Sequence, residues 1–251
     1  ISVAMGLGWD DHGLAREFND YIIESCRRYP DRLVGFASIN PKWGTIAAQE
    51  ADRCARAGML GIGEFHPDLQ GFDLGDESTM GPIAEVAREH HLIVITHSSE
   101  PIGHLYQGKG HTHPAIIWRF AQNFPDISLV CAHWGGGLPF YSLMPEVSEV
   151  LDNVYFDTAA SPLLYQDRIF DIIPLLTGPD HILLGSDYPL LSINRVLDQL
   201  NNCSMSDLDK SLVKGKNAVH KVRGECESFT FLGLDVLRGL TILSPPVRSE
   251  R

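Results

Sequence analysis

The hydrophobic positions of this chain come in short, nearly continuous runs, each followed by a polar turn and then by a stretch of helical period. Ile1–Leu7 reads as a buried strand, with Gly8 and a loop around Trp9–His12 after it. Leu14–Arg28 reads as a helix whose Phe18, Tyr21, Ile22 and Cys26 share one face, stopped by Tyr29-Pro30. The pattern then gives a strand at Leu33–Ile39, a helix at Thr45–Ala57 with Gly58 in the C-terminal cap position, and a strand at Leu60–His66. Further along come a helix at Gly81–His90, a strand at Leu92–Thr96, a helix at Pro114–Asn123 and a strand at Ile127–Ala132. Leu138–Leu151 is expected to be mostly helical with a break at Pro145. Val154–Phe156, Gln166–Leu176 and His181–Gly185 continue the alternation, and two helical pieces follow through Leu212.

Strand and helix thus alternate about seven times with short connections, which implies a parallel sheet with crossover helices. Runs that are apolar at successive positions fit strands buried on both faces. The fold class is α/β, either a closed barrel or an open, doubly wound sheet. The polar residues decide between them. Three apolar runs end abruptly in a metal-type ligand: L-I-V-I-T-H at His97, S-L-V-C-A-H at His133 and I-L-L-G-S-D at Asp187. Glu64 closes a fourth run. A polar, titratable group there is costly to place without a use, and only a barrel brings the carboxyl ends of such distant strands to one face.

Composition narrows the chemistry. The formal net charge of −12 over 251 residues argues against nucleic acid or an anionic membrane as partner. No run approaches the roughly 18 apolar residues of a membrane span. The five cysteines (Cys26, Cys54, Cys131, Cys203 and Cys226) never adopt C-x-x-C spacing, which points to reduced thiols and a cytoplasmic setting. G-x-G-x-x-G after the first strand and G-x-x-x-x-G-K-[ST] are both absent, so dinucleotide and nucleotide readings lose their main support. Expected partners are a small-molecule substrate and, at most, a second copy of the chain as a homodimer.

The strand-end set suits one divalent ion, zinc first and manganese second, because imidazole nitrogen and carboxylate oxygen both ligate such cations. His97 and Asp187 are the expected metal ligands. Asp187 is also placed to accept a proton from bound water, or else it caps a turn before Tyr188-Pro189. His133, followed by three glycines, would polarise a carbonyl or carry a proton. Glu64 is a ligand, a base, an orienting group or a buried ion-pair partner; His66, on the opposite face if the strand continues, competes for the same role. The long irregular segment Ser98–Thr112 is of a kind that is usually functional, and its Glu100, His104 and Lys109 are candidate substrate contacts. His111 and His113 have H-x-H spacing but lie in a loop entering a helix, and His90, His91 and His220 read as surface residues at helix ends.

The stretches Y-P-D-R-L-V-G-F-A-S-I-N-P (29–41), G-I-G-E-F-H-P (61–67), I-T-H-S-S-E-P-I-G-H (95–104), F-P-D-I-S-L-V-C-A-H-W-G-G-G (124–137) and L-L-G-S-D-Y-P (183–189) together resemble the amidohydrolase-related metal-dependent barrel enzymes. That group also contains aminocarboxymuconate-semialdehyde decarboxylase. The resemblance implies a (β/α)₈ TIM-type barrel, with His97 and Asp187 as ligands of one divalent ion and His133 as the catalytic histidine. It also implies a first strand carrying H-x-H or E-x-H. The opening strand Ile1–Leu7 lacks that pair and matches the second strand, so an incomplete barrel of about seven parallel strands is expected. The barrel would occupy residues 1–220, where Lys216-Asn217-Ala218 resembles a G-x-N-A signature. Residues 221–251 form a tail, either disordered or helical over Leu232–Leu243. The first functional expectation is a hydrolase in which metal-activated water attacks a carbonyl. The alternative is a decarboxylase of an aromatic or related acid, and the third reading is an inactive barrel that only binds.

Overall fold

The computed structural model describes residues 1–223. Seven strands form one parallel sheet in sequential order: β1 (Ser2–Ala4), β2 (Leu33–Ala37), β3 (Gly61–Phe65), β4 (Ile93–Thr96), β5 (Leu129–Cys131), β6 (Val154–Asp157) and β7 (Ile182–Leu183). Sequential order with parallel pairing curls the sheet as a barrel wall. Among the described residues β1 pairs only with β2 and β7 only with β6, so the wall is curled but not closed. Both edge strands are short, which limits the row of unpaired backbone groups they present. Asn217 covers part of the β7 edge by donating its amide to the carbonyls of Pro179 and Ile182, both at 2.8 Å. The expected incomplete seven-strand barrel is what the structure shows.

Among the described residues, six helices of nine residues or more cross the outside: α1 (His12–Arg28), α2 (Thr45–Arg56), α3 (Glu77–His90), α4 (Pro114–Asn123), α5 (Ile169–Thr177) and α6 (Ile193–Asn202). Alternation along the strands splits the apolar side chains into two groups. Ile62, Val94, Leu129, Cys131 and Phe156 join Ile83, Ile117, Phe120 and Phe170 of the helices in the main core. Phe36, Ile93, Ile95, Val130 and Tyr155 cluster on the other face, inside the curl. Register keeps the carboxyl ends level where the site lies: Thr96 pairs with Cys131, and Cys131 with Phe156.

Three local outcomes differ from the sequence pattern. Helix α3 begins at Glu77 rather than Gly81, because the Asp76 carboxylate accepts the Thr79 N–H at 3.0 Å and caps an earlier turn. The segment Leu138–Leu151 breaks at Pro145 as expected, but is only two separate turns, Leu138–Tyr141 and Pro145–Ser148, each with a proline in its first two positions that cannot donate to a preceding turn. Strand β3 ends at Phe65, so His66 leaves the strand and starts the short helix Pro67–Gln70. No helix among the described residues is long and apolar enough to cross a membrane. Cys26, Cys54, Cys131 and Cys203 are free thiols. Cys226 and the expected tail helix over Leu232–Leu243 lie outside the described residues.

Candidate metal centre

Glu64 is the fourth residue of β3, His97 follows the last residue of β4, and His133 is the second residue after β5. Their donor atoms converge. Glu64 Oε1 lies 3.3 Å from His97 Nδ1 and 3.9 Å from His133 Nε2, and the two imidazoles meet at 3.2 Å. One ligand atom from each residue falls within 4.8 Å of the others. One carboxylate oxygen and two imidazole nitrogens form a donor set that fits a divalent cation of the zinc or manganese type. Ser99 Oγ faces Nε2 of His97 at 3.3 Å, and His66 stacks on the His97 ring with centroids 4.5 Å apart. A second grouping, Asp52, Glu89 and His90, sits on the outside of α2 and α3. There the Asp52 carboxylate is already engaged by Arg56 and His90, both at 2.8 Å.

The chain reaches His133 through an uncommon backbone. His133 and Trp134 have φ of +57°, and Gly135, Gly136 and Gly137 continue at positive φ, so the turn after β5 is left-handed throughout. Each non-glycine residue in that region costs about 1–2 kcal/mol. Buried contacts offset this: Trp134 is fully buried and its indole N–H donates to Ser161 Oγ at 2.9 Å. Gly136 packs so tightly on the backbone of Ser99 that a Cβ there would lie 2.4 Å from the Ser99 carbonyl oxygen. Gly136 therefore docks this turn on the loop that follows β4.

His133 Nδ1 lies 3.1 Å from the carbonyl oxygen of Ala159. A carbonyl only accepts, so Nδ1 carries the proton and Nε2 of the neutral ring keeps its lone pair towards Glu64 and His97. Asp157, the last residue of β6, supports this arrangement from below: its Oδ1 accepts the N–H of His133 at 3.0 Å and that of Ala159 at 2.9 Å.

Burial and neighbouring charge set the ionisation of the group. Burial alone would raise Glu64, but the hydrogen bond with His97 and the positive charges available on His133, His66 and His97 outweigh it and hold it at about 2. Burial pushes Asp157 up to about 6 against the opposing charge of His133. For His133 burial works downward, yet Glu64 and Asp157 prevail and raise it. His66 is lowered, chiefly by burial. Asp187, half-buried after β7 with φ of +64°, is raised, first by burial, with His133 opposing and Glu64 adding to it.

The structure thus brings Glu64, His66, His97 and His133 together, with Asp187 in their electrostatic reach but outside the converging triplet. Asp187 also begins the expected turn, accepting the Leu190 N–H at 2.8 Å. A cavity of about 120 Å³ adjoins His97 and is bounded by His66, Asp68, Leu69, Gly108, Lys109 and Gly110. Lys109 borders it while donating to the carbonyls of Ile102 and His104 at 2.8 and 3.1 Å. The His104 side chain is exposed. Glu100 accepts from Tyr106 at 3.0 Å within the same loop. Two contributors escaped the sequence reading. Asp157 ends the short run V-Y-F-D, a strand-end acid of the same grammar as Asp187. Asp68 anchors the loop by accepting from the main chain of His111 at 2.7 Å, a link between segments distant in sequence.

Comparison with known proteins finds relatives in sequence and in fold. The gamma-resorcylate decarboxylase of Polaromonas sp. is 21% identical, covering 81% of this chain and 74% of that protein. The 2-amino-3-carboxymuconate-6-semialdehyde decarboxylase of Dictyostelium discoideum is 25% identical, with coverage of 88% and 67%. Among solved structures, the 5-carboxyvanillate decarboxylase of Sphingomonas paucimobilis superposes with a TM-score of 0.70 at 19% identity, covering 84% of this chain and 72% of that one. A dihydroxybenzoic acid decarboxylase from Polaromonas sp. with bound manganese and the inhibitor 2-nitroresorcinol gives a TM-score of 0.65 at 20% identity, with coverage of 83% and 74%. The amidohydrolase family profile matches residues 4–219. The chain belongs to the amidohydrolase family, as the strand-end histidines and the curled parallel sheet implied.

Proposed function

We propose that this protein is a metal-dependent carboxy-lyase acting on an aromatic acid with a single ring. The observation that carries the reading is the convergence of Glu64, His97 and His133 beside a cavity of about 120 Å³. The cavity opens to solvent and is bounded by His66, His97 and Lys109, which suits a small anionic ring compound. The matched relatives are named as decarboxylases of carboxylated rings or of a muconate semialdehyde, which favours this alternative over the hydrolysis first expected from the sequence.

A divalent ion, zinc or manganese, held by Glu64, His97 and His133 supplies the positive charge that binds and orients an anionic substrate when it is present. Glu64, held ionised by its histidine neighbours, brings the anionic donor of the set. His66, lowered by burial and stacked on His97, fixes the ring plane of that histidine. Asp187 is the proton donor: burial raises its carboxyl and so favours the acid form. In the reaction the electron pair of the ring–carboxyl bond stays on the ring carbon, which takes the Asp187 proton, and carbon dioxide leaves. Asp187 then recovers a proton from water.

The test is a panel of hydroxylated and methoxylated benzoic acids, with lactones and amides alongside, given to the purified protein with zinc or manganese. The expected result is carbon dioxide release from at least one single-ring acid, falling by at least about 100-fold in Asp187→Asn. Hydrolysis of a lactone or amide without carbon dioxide release would return the hydrolase reading. No turnover of anything would support a barrel that only binds.

A further inference from the structure

Asp157 is buried, sits at the carboxyl end of β6, and directs one carboxylate oxygen to main-chain donors on two strand-end segments. We infer that Asp157 is a positioning residue for His133: it clamps the segments after β5 and β6 together so that the His133 ring can present only Nε2 to the centre. The inference rests on the reading of Glu64, His97 and His133 as one centre, but not on the reaction carried out there.

The geometry closes a small loop of hydrogen bonds. Oδ1 of Asp157 accepts the N–H of His133 at 3.0 Å and that of Ala159 at 2.9 Å. The carbonyl of Ala159 then accepts the Nδ1 proton of the His133 ring at 3.1 Å. Main chain and ring of one residue are thereby tied to the same neighbouring residue through a single carboxylate oxygen. The backbone needs such a tie, because His133 has φ of +57° and Ala160, just past the clamp, has φ of +54°. With the ring proton committed to Ala159, the lone pair of Nε2 is what faces His97 Nδ1 at 3.2 Å and Glu64 Oε1 at 3.9 Å.

A carboxylate here has two separable effects: it accepts hydrogen bonds, and its charge favours the imidazolium form of His133. Asp157→Asn keeps an Oδ1 acceptor and removes the charge, whereas Asp157→Ala removes both. The clamp is read directly from the histidine nitrogen-15 shifts of the full chain without metal at pH 9, where a neutral imidazole reports its tautomer. The expected result is a proton on Nδ1 of His133 in the wild type and in Asp157→Asn, and loss of that preference in Asp157→Ala. Manganese affinity, measured by competition with a chromophoric chelator, should fall about 10–100-fold in Asp157→Ala and much less in Asp157→Asn.

An unchanged tautomer in a folded Asp157→Ala overturns the inference. So does an Asp157→Asn protein as damaged as the alanine variant, since charge would then be the agent. If Asp157→Ala does not fold, Asp157→Asn decides alone: retention of the Nδ1 proton supports the clamp and its loss refutes it. A wild type that shows the Nδ1 proton but releases no carbon dioxide from any acid removes the carboxy-lyase reading and leaves the clamp intact.

Discussion

Replacing Gly136 with alanine tests whether the left-handed turn after β5 is as tightly docked as its coordinates require. The new Cβ would lie 2.4 Å from the carbonyl oxygen of Ser99, 2.7 Å from its carbonyl carbon and 3.1 Å from its nitrogen. All three are backbone atoms, so no flexible side chain can swing away. Gly136 also has φ of +59°, where alanine pays about 1–2 kcal/mol that glycine does not. Overpacking against rigid neighbours adds about 1–3 kcal/mol. The whole effect is about 2–5 kcal/mol, which for a chain of this size lowers Tm by on the order of 10 °C. Gly81→Ala is the control: Gly81 lies inside α3 with nothing within 4 Å of its added Cβ. That change should leave Tm within a few degrees of the wild type, because the helix-propensity gain of alanine is opposed by Pro82 at the next position. Thermal melts followed by circular dichroism decide the matter. A Gly136→Ala protein melting within about 1 °C of the wild type would refute the docking argument. If the docking holds, the variant also weakens metal binding, because Ser99 is the residue whose hydroxyl faces His97 at 3.3 Å.

Three further outcomes follow from the same geometry. The buried Glu50 is lowered: burial opposes this, but hydrogen bonds from Arg53 and Asn19 prevail. A lowered folded-state value means its stabilisation is complete above the unfolded carboxylate range and is lost as pH falls through the folded value, so acid melts of Glu50→Gln should show a flatter decline below about pH 4.5 than the wild type. Lys109→Met removes the ammonium that donates to Ile102 and His104 and borders the cavity; KM for an aromatic acid should rise about tenfold, with a smaller change in kcat. Adding manganese at about 100 times its Kd to chelator-treated protein should stabilise by about 2.7 kcal/mol, seen as a rise in Tm, and His97→Ala should abolish that rise.

The fold was legible because its central strands are largely buried on both faces and its helices carry one apolar side; the run Ile1–Leu7, expected as a buried strand, forms only Ser2–Ala4 and leaves Ile1, Val3 and Leu7 exposed at the sheet edge. The ends of β4 and β5 were legible for the opposite reason, since His97 and His133 interrupt apolar runs where burial makes polarity expensive. His66 was not. Strand alternation puts it opposite Glu64, but the strand stops at Phe65 and the chain turns into Pro67–Gln70. His66 Nε2 thereby ends 3.8 Å from Glu64 Oε1, on the same side. Asp157 carries the same strand-end signal as Asp187, but its partners are main-chain groups, so residue type alone did not reveal its role. The Leu138–Leu151 segment misled through its apolar spacing, because left-handed Gly137 and two prolines outweigh periodicity there.

The central claim is that Glu64, His97 and His133 hold one divalent ion. Crystals grown with manganese and measured at its absorption edge locate such an ion independently of any substrate. One strong anomalous peak in contact with those three residues, lost in His97→Ala, is the expected result. A peak held instead by Asp52, Glu89 and His90, or none at the carboxyl ends of β3, β4 and β5, would contradict it.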